Sequence, residues 1–125
     1  GSGALEYVYD AEPVERVEMS SENLSAVLAG MHDLATDGAV SQYFKDCIVD
    51  AAAKTGTVQT GDTKNNNGAF VCFAPYDDPQ IAVAIVIEKG GSGAALASTA
   101  VQVLNAYFSN TSASSAITGE NTLLG

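Results

Sequence analysis

The sequence predicts an α/β fold of the α+β type, an antiparallel sheet flanked by helices. Three observations carry that prediction. Three short apolar runs follow one another with turn residues between them, over 47–59, 69–74 and 80–88, in the order of a meander. A capped amphipathic helix precedes them, and a glycine turn with an alanine-rich helical stretch follows. With 125 residues and 46% hydrophobic residues the chain is one domain at most, with enough apolar material for a core.

Residues 1–19 read as an N-terminal arm or edge strand. Leu5, Tyr7 and Tyr9 alternate with polar positions, Pro13 interrupts, and Val14, Val17 and Met19 follow. Gly1-Ser2-Gly3 reads as an expression scar. Glu6, Asp10, Glu12, Glu15 and Glu18 read as a solvated face, with no Asp-x-Asp spacing to hold a metal; no metal and no cofactor are expected.

Ser20-Ser21 offers an N-cap, and Leu24, Val27, Leu28, Met31 and Leu34 recur at helical spacing up to Asp37-Gly38, where glycine suits a left-handed closing residue. His32 lies off that stripe and is expected to face solvent or to bond locally. It is the chain's one histidine, yet no Ser or Cys at a diagnostic position marks it as a general base. Val40, Tyr43 and Phe44 suggest a single helical turn before the first strand.

Within that strand, Lys54-Thr55-Gly56-Thr57 places an ammonium, two hydroxyls and a residue without a side chain in succession. Lysine supplies three donors and a charge, the threonines supply hydroxyls, and glycine lets another backbone or a ligand lie against the strand. The segment is an oxyanion-binding surface in miniature. Residues 60–68 are turn-rich and end in Asn67-Gly68, a hairpin signal. The third run is apolar at every position from Ile81 to Ile87, which predicts a central strand covered by a helix.

After Gly90-Gly91-Ser92-Gly93 a helix is expected over 94–108, with Leu96, Ala100, Val103, Leu104 and Tyr107 as its buried stripe. A strand, a glycine turn and a helix also open a dinucleotide fold. Here Leu96 stands where the third glycine belongs and the strands are joined by tight turns, so nucleotide binding is not expected. Residues 109–125 are rich in Ser, Thr and Ala without a period and read as a disordered tail.

The net charge of −10, from 15 acidic and 5 basic residues, argues against nucleic acid or an anionic membrane surface as a partner. The longest apolar run, 81–87, is too short to span a bilayer. Cys47 and Cys72 could pair, although buried free thiols are the favoured reading.

Four blocks, from Ala53 to Gln59, from Ala69 to Pro75, from Asp78 to Glu88, and the glycine turn with its helix, resemble the C-terminal part of a class B penicillin-binding protein transpeptidase domain, over residues 17–108. That resemblance implies the β-lactamase/transpeptidase-like fold, with a five-stranded antiparallel sheet and a helical subdomain across a cleft. It implies peptidoglycan stem peptides as substrate, β-lactams as inhibitors, and an extracytoplasmic location for the parent protein. By the same resemblance Lys54 and Thr57 are catalytic, Lys54 through the electrostatics of the cleft and Thr57 through a backbone oxyanion donor. Thr55, Gly56 and Thr57 would bind substrate.

The family's Ser-x-x-Lys is absent, because Gln42, Ala51, Gly61 and Val86 precede the four lysines by three positions. Ser21-Glu22-Asn23 spells Ser-x-Asn but opens a helix and reads as a cap. The expectation is therefore a fragment, 20–108, that supplies the Lys-Thr-Gly-Thr wall without the nucleophile and is inactive alone. It would act with the missing half of the domain and self-associate through exposed apolar surface or a strand edge. The alternative is a non-catalytic binding module that uses the open edge of the Lys54 strand.

Overall fold

The structure is a computed structural model that describes residues 16–59 and 66–119. Of the expected N-terminal arm, residues 1–15 lie outside the described part, as do 60–65 and 120–125. Helix α1 is Ser21–Thr36, a single turn α2 is Ser41–Phe44, and three strands follow: β1 Ala52–Val58, β2 Asn67–Ala74 and β3 Ile81–Ile87. A 3-10 turn, Gly93–Leu96, leads into helix α3, Ala97–Gly119.

Helix α1 starts where its cap predicts. Ser20 Oγ accepts the Asn23 amide at 3.2 Å, satisfying one of the free N–H groups of the first turn. Its end differs from expectation, since Gly38 does not take a positive φ. The Asp37 and Gly38 amides both donate to the Asp33 carbonyl, at 2.9 and 2.7 Å, and a Cβ on Gly38 would stand 2.7 Å from Leu34 Cα. Close approach, not a left-handed backbone, requires this glycine.

The sheet is antiparallel in the order β1-β2-β3, as the meander predicts. Its middle strand, however, is β2 and not the third run. Gly68, Phe70, Cys72 and Ala74 alternate along the buried face of β2, while β3 is an edge among the described residues. The apolar look of β3 misleads because one of its faces, Ala82, Ala84 and Val86, stands exposed.

Strand β1 begins five residues later than the expected 47–59. The Asn105 side chain of α3 holds the preceding segment out of the ladder, accepting the Ile48 amide and donating to the Asp46 carbonyl, both at 2.9 Å. Asn67-Gly68 is not a turn either. Both residues are in β2, opposite Val58 and Thr57, so the connection spans 59–66.

The last helix departs from expectation at both ends. Ala97, Ala100, Val101 and Leu104 form its buried face with Leu96 of the preceding turn, while Val103 and Tyr107 are exposed. It also runs to Gly119, so residues 109–119, expected as a disordered tail, are helical. Once a helix is nucleated each further residue adds a hydrogen bond, and no Pro or Gly interrupts the chain before Gly119. One core unites Ala35 of α1, Val40, Ala51 and Ala53, Phe70, Cys72 and Ala74 of β2, Leu96 of the 3-10 turn, and Ala97, Ala100 and Leu104 of α3.

Candidate functional site

The candidate site is the edge of β1 that no strand pairs with among the described residues. Ala51, Ala52 and Ala53 lead into it, each at most 2% exposed, and their small size lets the strand lie close to its surroundings. Pleating then divides the next four residues. Lys54 pairs with Val71 and Gly56 with Ala69 on one face, whereas Thr55 pairs with Phe70 and Thr57 with Gly68 on the other. The structure brings the four together along one edge and splits them between its faces.

Lys54 is exposed, and its Nζ donates to the Thr55 carbonyl at 2.6 Å. No carboxylate pairs with it among the described residues. Thr57 is exposed and Thr55 and Gly56 are half-buried. Two depressions, of about 220 and 400 Å³, are lined instead by residues of α1 and α2, the positions just after each helix, and residues 49–51. The Lys54–Thr57 segment is thus one wall open to solvent.

Two features that bear on this edge escaped the sequence reading. The first is Gly93, read there only as part of a nucleotide-like turn. It is buried against the strand, and a Cβ on it would overlap the carbonyl oxygens of both Gly56 and Ala69. The spacing of glycines along the chain carried no sign that this one faces Gly56.

The second is His32. Far from bonding locally, its Nε2 lies 2.9 Å from both carboxylate oxygens of Asp50, and its ring stacks on Tyr76 at 4.2 Å. No signal in sequence joins residues 18 positions apart on different elements.

The cysteines are free. Burial pushes the Cys72 thiol up to about 11, with the neighbouring Cys47 adding to the shift. Burial also raises Cys47, opposed by a hydrogen bond with the Val49 backbone and reinforced by the Asp50 charge. Both thiols stay protonated near neutral pH, and neither is an activated nucleophile.

A helix-flanked antiparallel sheet with a Lys-Thr-Gly-Thr edge strand fits the transpeptidase class of domain that the sequence resembles. Residues 4–108 match the family described as the penicillin binding protein transpeptidase domain, and the chain belongs to that family. Among its relatives, penicillin-binding protein 2A of Bacillus subtilis is 32% identical over an alignment of 96 residues that covers 70% of this chain and 13% of that protein. Peptidoglycan D,D-transpeptidase MrdA of Escherichia coli K12 is 33% identical over 92 residues, covering 61% of this chain and 14% of the relative.

The fold is similar to Pseudomonas aeruginosa PBP2 in complex with WCK 5153, with a TM-score of 0.66 and 30% identity over 80% of this chain and 23% of that one. It is similar too to the PBP2 in a complex with MreC from Helicobacter pylori, with a TM-score of 0.66 and 25% identity over 73% of this chain and 18% of that one. The chain therefore spans about an eighth of the length of these curated relatives.

Proposed function

We propose that this chain is the C-terminal portion, over residues 20–108, of a D,D-transpeptidase that cross-links peptidoglycan, and that Lys54-Thr55-Gly56-Thr57 is one wall of its active site. The observation that carries this reading is the β1 edge itself, with an exposed ammonium that no carboxylate pairs with among the described residues on one face and threonines on the other. A stem peptide or a β-lactam would add along the edge as a further strand. Lys54 would then flank it from one side, with Thr55 and Thr57 flanking it from the other, and Gly56 would leave room for its backbone.

In this reading Lys54 sets the electrostatics of the cleft and the Thr57 N–H is one of two oxyanion donors. Loss of one such donor costs on the order of 3–4 kcal/mol of transition-state stabilisation in other acyltransferases. The second donor and the attacking serine would come from the rest of the domain, which lies on the extracytoplasmic face of a bacterial membrane in the parent protein. The chain supplies recognition and polarisation, and not the attack.

A fluorescent penicillin tests this directly. The 125-residue chain is expected to remain unlabelled, whereas a longer protein that carries it with a Ser-x-x-Lys is labelled, and Lys54→Ala in that protein suppresses labelling. Covalent labelling of the short chain alone would overturn the division of labour.

A further inference from the structure

We propose that His32, Asp50 and Tyr76 form a clasp that positions the Lys54–Thr57 edge. Three elements meet there. His32 belongs to α1, Asp50 lies two residues before β1, and Tyr76 lies in the turn between β2 and β3. The Asp50 carboxylate accepts from His32 Nε2, with 2.9 Å to each oxygen, while its backbone carbonyl accepts the Tyr76 amide at 3.0 Å. The His32 ring closes the triangle by stacking on Tyr76, which in turn stacks near Phe73 at 6.4 Å. Asp50 is therefore held by both its side chain and its main chain.

From Asp50 to Lys54 the chain covers about 13 Å if extended, through three alanines that are each at most 2% exposed and packed into the core. At the other end Gly93 bears on the backbone of Gly56. The strand is thus fixed at two points on either side of Lys54. The His32 and Asp50 side chains are 27% and 54% exposed, and ion pairs of that exposure add little to global stability. Their effect falls on where β1 lies, and displacements of about 1 Å in such walls cost as much as a hundredfold in rate. His32, Asp50 and Tyr76 are positioning residues in this scheme; they do not touch the substrate.

The catalytic part of the inference rests on the proposed function, so two measurements separate them. In amide hydrogen exchange on this chain, His32→Ala is expected to speed exchange of those β1 amides that bond to β2 about tenfold relative to the amides of Ala100–Leu104 in α3. His32→Gln, which keeps a nitrogen donor at similar reach, restores most of the protection, and Tyr76→Leu reproduces part of the loss. Equal acceleration in both elements, or none, overturns the clasp.

In the longer protein with its nucleophile, His32→Ala is expected to lower the rate of penicillin acylation about tenfold, with initial binding little changed and partial rescue by His32→Gln. Equal acylation of His32→Ala and the unsubstituted protein overturns the positioning role. Absence of acylation in the unsubstituted protein overturns the functional reading instead, and leaves the exchange measurement to decide the clasp.

Discussion

Gly93 has no side chain to move, and the atoms a Cβ would meet are backbone oxygens of two paired strands. Gly93→Ala must therefore displace either the turn or β1. Overpacking of this kind costs about 1–3 kcal/mol, and backbone obstacles place it toward the upper end. A urea titration is expected to show that loss, with chemical shift changes concentrated at Gly56 and Ala69; an unchanged midpoint would contradict the contact. Cys72 gives a different reading at the same scale. Its folded pKa lies above its unfolded value near 9, so the unfolded chain loses this proton first as pH rises. The contribution is fully present below pH 9 and falls away between 9 and about 11. Thermal melts across that window are expected to show a decline that is shallower in Cys72→Ala, and the opposite slope difference would refute the assignment.

Among the elements, the start of β1 depends on a residue 57 positions away in sequence. Asn105→Ala removes the two hydrogen bonds that hold Asp46 and Ile48, at a cost of about 1–3 kcal/mol, since a backbone amide and a carbonyl each lose their partner. Faster exchange of the Ile48 amide without a matching change in the amides of α1 is the expected result. The same dependence explains which elements were legible in the sequence. Helix α1 was, because its cap and stripe are local; so was the meander, because turn residues separate the runs. The beginning of β1 was not, because a distant side-chain amide sets it, and the buried face of α3 was not, because the contact of Gly93 with β1 fixes the approach of the turn that precedes that helix. For the site, the four residues could be read from their chemistry. Their division between two faces and their bracing by His32 and Gly93 arise only when the strands pair.

At the scale of the whole molecule, apolar side chains of the described residues stand uncovered. Leu24 and Val27 on α1 are 48% and 52% exposed, and Val86 on β3, an edge strand among the described residues, is 71% exposed. From Pro79 to Ile87 the chain carries no charge, and the interior of β3 has no proline or bulge, the devices that usually protect an edge from pairing with another chain. Opposing this is a net charge of −10, which repels a second copy over the Debye length. Salt shortens that length from about 10 Å at 0.1 M to about 3 Å at 1 M while leaving apolar burial in force. Self-association is therefore expected to rise with sodium chloride, seen by light scattering as a mass above the 12.8 kDa of one chain. Val86→Lys, at an exposed position where substitution changes folding stability by less than about 0.5 kcal/mol, puts a charge on the β3 edge strand and is expected to reduce the effect. Val27→Glu does the same for α1, so comparison of the two variants assigns the contact to the sheet edge or to the helix. A monomer at both salt concentrations would show that the exposed apolar surface is too dispersed to drive association.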